Sequence, residues 1–199
     1  MRQNTERRTA LTDAAIAVLA RDGARGLTYR AVDAEAAVPP GTTSNYFHGR
    51  DQLLAEAGDR VHVRLSAPDE VMADPRSEPP SAGRVATLLG ELMARLTTRR
   101  TAYLALLELR LEANRRPELA AALTETVRES FRVSVEFHEA AGLPGGRDEV
   151  LLMYLALTGL TVERLTLPET FADVSDEEVI RLLLDRILPT ENAREHKPE

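Results

Sequence analysis

The 199-residue chain contains no cysteine and no tryptophan. The first absence removes disulfides, iron–sulfur clusters, thiolate zinc sites and a cysteine nucleophile, and it agrees with a reducing compartment. Only His, Asp or Glu could hold a metal, and the four histidines are isolated from one another. No metal site and no cofactor is therefore expected. Aromatic residues make up 4% of the chain against 43% hydrophobic residues in all, so the core must be mostly Leu, Ala and Val, a palette that favours helices. Long apolar runs are missing too. The longest, Val150 to Val162, stops at Glu163, short of the roughly 18 residues that a membrane span requires. Near the amino terminus the apolar stretch Ala14 to Ala20 is bounded by Asp13, Arg21 and Asp22, which reads as a helix of the mature protein and not as a signal peptide. A soluble, cytoplasmic protein with no membrane partner is expected. Enzyme signatures fail as well: the chain has no glycine-rich phosphate loop, no Gly-x-Ser-x-Gly elbow and no His-x-x-x-His pair, and no enzymatic activity is expected.

The net charge of −7 is unevenly distributed. Residues 1–60 hold 8 Arg and 8 acidic residues and are neutral, so the whole excess lies in residues 61–199. Nucleic acid binding by the first part is thus not opposed by its charge. The periodicity predicts an all-α chain of about nine helices. A helix from about Thr5 to Asp22 puts Leu11, Ala15, Val18 and Leu19 on one face and ends at Gly23, suited to a left-handed cap. A second opens with Thr28 as N-cap and reaches about Ala36, where Pro39-Pro40-Gly41 stops it. A third, short helix runs from about Pro40 to His48, and a fourth from about Arg50 to Leu65 carries Leu53, Leu54, Ala57 and Val61. Residues 66–80 contain Pro68, Pro75, Pro79 and Pro80 and form the natural domain boundary. Five more helices follow across residues 81–188, the last behind a capping box at Ser175–Glu178. Residues 189–199 form a charged tail.

The informative segment is residues 27–54, LTYRAVDAEAAVPPGTTSNYFHGRDQLL. Two short helices joined by a tight turn, the second rich in small polar residues, form a layout that can enter a DNA major groove about 12 Å wide. The segment resembles the DNA-binding region of the TetR/AcrR family of bacterial regulators. That family's string runs Leu-Thr at a helix start, then Ala-x-x-Ala-Gly-Val, then Gly-Thr-Leu-Tyr-x-x-Phe-x-x-Lys-x-x-Leu-Leu. Matching residues are Leu27, Thr28, Ala31, Ala36, Val38, Gly41, Thr42, Phe47, Arg50, Leu53 and Leu54. Pro39, Thr43 and Ser44 depart from it, Thr43 standing where a Leu normally packs inward. The resemblance is specific over residues 1–65; beyond them it is one of helix count and order.

The resemblance implies a three-helix helix-turn-helix domain, residues 1–65, followed by an effector-binding and dimerisation domain, residues 81–188. Thr28 and Tyr29 would bond phosphates, and Arg30 would read guanine through its bidentate fork. Gly41 would let the backbone approach DNA, with Thr42, Ser44, Asn45 and Tyr46 facing bases or phosphates and Phe47 turned inward. Asn45 could read adenine or be an ordinary surface residue. His48 and Arg50 would clamp the backbone, and Arg7 and Arg8 could add a flexible phosphate contact. A homodimer is implied, and the residues agree. The helix over 147–167 is apolar nearly all round, so Val150, Met153, Leu157 and Leu160, with Ile180, Leu183, Leu184 and Ile187 of the last helix, are candidates for the interface; burial of both helices within a monomer is the other reading. A two-fold dimer spaces its recognition helices about 34 to 36 Å apart and would read a palindromic double-stranded operator. For an unknown small-molecule effector the candidates are Tyr103, Leu107, Arg110, Phe131, His138, Tyr154 and Thr158. Arg110 could bind an anionic effector or pair with Glu136 or Glu163.

Overall fold

In a computed structural model, which describes residues 2–68, 72 and 74–188, with side chains from Thr5 onward, all the secondary structure described is helical. The charged tail, 189–199, lies outside the described residues. Nine α-helices occur among those described: α1 (Arg2–Gly26), α2 (Tyr29–Glu35), α3 (Thr42–Tyr46), α4 (Arg50–Leu65), α5 (Ala82–Thr98), α6 (Arg100–Ala113), α7 (Pro117–Ala140), α8 (Arg147–Thr166) and α9 (Asp176–Ile187), with a 3-10 turn at Pro168–Phe171 between the last two.

The chain divides into two compact units. The first comprises Met1–Ser66 and Thr98–Arg128, the second Ala67–Thr97 and Glu129–Glu199. The first unit thus takes in α6 and the first half of α7 as well as the helices before the proline-rich loop. Its core is the apolar stripe of α1, with Leu11, Ala15, Val18 and Leu19 wholly buried, closed by Leu53, Leu54, Ala57 and Val61 of α4, by Ala105 and Leu109 of α6, and by Leu119 and Leu123 of α7. Each buried Leu contributes on the order of 1.5–3 kcal/mol. The second core joins Val85 and Met93 of α5 to Met153 and Leu157 of α8 and to Ile180 and Leu184 of α9.

The helix ends follow local chemistry. α1 is broken at Gly23, whose φ of 69° only glycine adopts freely, and the turn that follows carries the chain into α2. Ser175 caps α9 by accepting the Glu178 N–H at 3.1 Å. In α8 the burial is one-sided. Val150, Met153, Leu157, Thr161 and Leu165 are buried, whereas Leu152 and Leu155 on the other face are 47% and 56% exposed.

A candidate DNA interface

The α2–turn–α3 unit is held by hydrogen bonds at both helix ends. Thr28 caps α2, its hydroxyl accepting the Ala31 N–H at 3.1 Å. At the other end Ala37 N–H bonds the Ala34 carbonyl and Val38 N–H the Asp33 carbonyl, at 3.2 and 3.0 Å, the paired bonds of a Schellman cap. That cap requires a left-handed residue, and Ala37 takes the role with φ 51°. Aligned on Ala36 and Val38, the family string puts its glycine at Ala37 and its first alanine at Asp33, not at Ala31.

A helix of five residues cannot hold itself, because nucleation costs more than so few bonds return. α3 is held from outside at both ends. At its start, the buried Asp33 carboxylate accepts the Gly41 N–H at 2.7 Å and the Thr43 N–H at 2.7 Å, and also the Thr43 hydroxyl. Gly41 itself sits at φ 91°. Burial would raise the Asp33 carboxyl, but its three donors outweigh burial and hold it below the ordinary carboxylate range. Thr43, the polar substitute for an inward Leu, is wholly buried and satisfied by this carboxylate. At the far end, Arg8 donates to the Tyr46 carbonyl at 2.9 Å and Tyr29 donates its hydroxyl proton to the Phe47 carbonyl at 3.0 Å. Gln52 accepts the His48 N–H at 2.8 Å. Phe47 is buried, with the Arg8 guanidinium 4.8 Å from its ring centroid.

Arg8 differs from its expected flexible phosphate role: Glu56 holds its Nε at 2.7 Å and its Nη2 as well. The physical reason is that Glu56 on α4 lies opposite α1, a pairing across 48 residues that no local pattern reveals. Arg50, expected to clamp DNA, instead donates both terminal nitrogens to the carbonyls of Ala24 and Leu27, which stabilises the turn between α1 and α2. Glu108 of α6 accepts the Ala24 N–H at 3.0 Å in the same turn. Sequence reasoning missed Asp33, Gln52, Glu56 and Glu108; the one available signal was the joint departure of residues 33 and 43 from the family string.

Of the remaining predicted contacts, Thr28, Arg30, Gly41, Ser44, Asn45 and His48 are exposed and Thr42 and Tyr46 are half-buried. Thr42 and Ser44 donate their hydroxyl protons to the carbonyls of Pro39 and Gly41, at 2.6 and 2.8 Å. Exposed Arg30 on α2, with Asn45 and small hydroxyl side chains on the short α3, can offer both donors and acceptors to base edges.

Residues 11–57 match the family model described as bacterial regulatory proteins, tetR family, and residues 80–190 that of the tetracyclin repressor-like C-terminal domain. The chain belongs to the TetR family of transcriptional regulators. As a member of that family it is a regulator and not an enzyme. Among solved structures it is similar to the multidrug binding protein EbrR complexed with imidazole, with 30% identity over 94% of this chain and 98% of that one and a TM-score of 0.62. EbrR complexed with ethidium gives 29% identity over 92% and 99%, with a TM-score of 0.63. A TetR family member from Streptomyces coelicolor A3 gives 30% identity over 93% and 99%, with a TM-score of 0.67. No curated protein matches the chain.

The TetR-type second domain distributes the expected effector residues over both units. In the first, Tyr103 is buried and Leu107 and Arg110 are half-buried. In the second, Phe131 and Tyr154 meet edge to face, centroids 6.1 Å apart, and Arg147 lies 5.5 Å from the Phe131 ring centroid. The Thr158 hydroxyl donates to the Tyr154 carbonyl at 2.7 Å, and buried His138 lies 3.0 Å from the Pro144 carbonyl through Nε2. Glu136, one of the partners considered for Arg110, pairs with Arg132. A surface depression of about 380 Å³ on the first unit is lined by Arg64, Thr98, Arg99, Thr101 and Ala102, none of them an expected effector residue. Among the described residues, no cluster of metal-ligating side chains occurs and no helix is long and apolar enough to cross a membrane.

The expected dimer contacts differ in exposure. Val150, Met153, Leu157, Ile180 and Leu184 are buried within the chain's own second unit, and Leu160, Leu183 and Ile187 pack against that core. Intramolecular packing closes off the first five, whereas Leu160, Leu183 and Ile187 stay half-buried. The apolar side chains left outward on these two helices are Leu152, Leu155 and Leu182.

Proposed function

We propose that the protein is a ligand-responsive repressor that binds a palindromic operator as a homodimer in the cytoplasm. The observation that carries this reading is the exposed side of α2 and α3. There Arg30 and Asn45, the two side chains suited to bidentate base reading, stand free of the packing that fixes the rest of the segment. Thr28, Thr42, Ser44 and His48 supply phosphate and base contacts around them. Tyr29, Tyr46 and Arg50 support the surface from behind.

The second copy is held through Leu152 and Leu155 of α8 and Leu182 of α9, since large apolar side chains exposed on adjacent helices favour burial against an equivalent surface. Repression is steric: the dimer covers a promoter. An effector acts by changing the separation of the two recognition helices, which requires about 5.5 kcal/mol of differential affinity for a full reversal from bound to free. The aromatic pair Phe131–Tyr154 with Arg147 beside it is the part of the second unit best suited to a planar ligand, and the similarity to EbrR, a multidrug binding protein crystallised with ethidium and imidazole, supports a small organic effector.

The test is a salt-dependent binding titration against the DNA upstream of the protein's own gene and its neighbours. Tight binding confined to one short palindrome, lost in Arg30→Ala and in Asn45→Ala, is the expected result. Weak binding that is indifferent to sequence for all fragments, and unchanged by both substitutions, would refute the assignment.

A further inference from the structure

Three backbone donors at the start of α3 are committed inside the protein. Gly41 N–H and Thr43 N–H go to the two carboxylate oxygens of Asp33, and Thr42 N–H goes to the Pro39 carbonyl at 3.1 Å. Asp33 belongs to α2, is 3% exposed and reaches across the turn to hold the next helix. It also anchors α2 itself, since its carbonyl receives the Val38 N–H at 3.0 Å. At its start α3 is thus held against α2 by a bidentate carboxylate where the family string has an inward Leu, while Phe47 and the bonds to the Tyr46 and Phe47 carbonyls hold its far end. A shift of α3 would move Thr42, Ser44 and Asn45 together, because all three lie within the one short helix.

We infer that Asp33, acting through Thr43, is the positioning residue that sets how α3 presents Ser44 and Asn45 to the operator. It touches no DNA in this scheme, and the inference rests on the reading of α2 and α3 as the DNA interface. The buried hydroxyl of Thr43 and the carboxylate of Asp33 form one unit: without Asp33 the hydroxyl and the Gly41 and Thr43 N–H groups lose their acceptor, and without the hydroxyl the carboxylate keeps only its two backbone donors. Replacing both restores an apolar contact of the kind the family string contains.

The experiment first recovers a preferred duplex by selecting with the wild-type protein from a random double-stranded pool, and then measures affinity for it and for a scrambled duplex of the same length. The variants are Asp33→Asn, Thr43→Val, Thr43→Ser and the double Asp33→Ala/Thr43→Leu. All are compared at a temperature where circular dichroism shows each fully helical. Asp33→Asn and Thr43→Val should lose about tenfold or more in affinity for the selected duplex, the scale of one charge-assisted hydrogen bond. Their affinity for the scrambled duplex and the salt slope should stay unchanged, since the phosphate contacts are retained. Thr43→Ser keeps the hydroxyl and should bind as the wild type does. The double variant should fold and bind, with an altered preference when selection is repeated. Equal affinity for the selected duplex in wild type, Asp33→Asn and Thr43→Val would overturn the positioning role while leaving the DNA interface intact. Should Asp33→Asn fail to fold, the contrast between Thr43→Val and Thr43→Ser decides the matter alone. Failure of the wild type to enrich any duplex would bring down the interface reading, and this inference with it.

Discussion

Replacing Arg8 by Ala separates two physical pictures of the amino-terminal helix. The guanidinium meets Glu56 with two nitrogens, donates to the Tyr46 carbonyl at 2.9 Å and lies 4.8 Å from the Phe47 ring centroid. The Arg8 and Glu56 side chains are 37% and 27% exposed, so solvent screens the pair and its contribution is held to about 0.5–1 kcal/mol. The bond to the Tyr46 carbonyl adds about 1 kcal/mol, and the ring interaction about 0.5–1 kcal/mol. Loss of all three should cost about 2 kcal/mol and lower Tm by about 4–8 °C for a chain of this size. The assay is thermal unfolding followed by circular dichroism for wild type, Arg8→Ala, Glu56→Ala and the double variant, with a coupling of about 0.5–1 kcal/mol expected between the two sites. Arg8→Lys should recover only part of the loss, because an ammonium cannot reproduce the fork. The competing picture, a flexible arm on a phosphate, predicts an unchanged Tm and a salt slope lower by about 0.9 for each phosphate that the guanidinium had neutralised. An Arg8→Ala variant with wild-type Tm and a reduced salt slope would refute the clamp.

Three further outcomes follow from the same geometry. Ala37→Gly should stabilise the protein by up to about 1.6 kcal/mol, because the left-handed conformation costs Ala about 1–2 kcal/mol and the added freedom of the unfolded chain offsets about 0.4–1 kcal/mol of that; a lowered Tm would contradict it. Leu155→Arg should convert a dimer to a folded monomer in sedimentation experiments, since Leu155 is 56% exposed and takes no part in the second core; a persistent dimer would remove α8 from the proposed interface. Stability should fall on acidification. Burial would raise the Asp13 carboxyl, but the Arg60 hydrogen bonds and the charges of Arg64 and Arg60 outweigh it and lower it. A depressed folded pKa stabilises above the unfolded value of about 3.9, and the gain disappears as the pH falls through the folded one. Asp13→Asn should accordingly flatten the Tm profile below about pH 4, and an acid slope identical to that of the wild type would rule out this source.

What was legible in the sequence was what repeats. The spacing of Leu11, Ala15, Val18 and Leu19 predicted α1 and its buried face, and the break at Gly23 was readable because few residues tolerate a left-handed backbone. The family string located α2 and α3. The apolar face of α8 was legible as apolar but not by direction: all-round hydrophobicity carries no phase, so the sequence could not tell Met153 and Leu157, which turn into the second core, from Leu152 and Leu155, which remain outside.

The candidate site was legible in its outward residues and hidden in its supports, for a physical reason. Arg30, Ser44 and Asn45 are proposed as contacts by residue type and by position on a recognisable segment. Asp33, Arg8, Glu56 and Glu108 act by where the fold brings them, across separations of 10 residues for Asp33 and Thr43, 48 for Arg8 and Glu56 and 84 for Ala24 and Glu108. An Arg eight residues from the start looks like a DNA-seeking arm until its partner on α4 is seen, and an Arg at the head of α4 looks like a phosphate clamp until two carbonyls of the α1–α2 turn are found to occupy it. A recognition helix too short to be stable alone makes such supports obligatory. In this chain they include two carboxylates, Asp33 and Glu108, which hold backbone N–H groups at the turns on either side of α2. Asp33 and Glu56, two of the eight acidic residues of the neutral first 60, are thus part of what holds the candidate surface in shape, and their charge need not be counted against DNA binding.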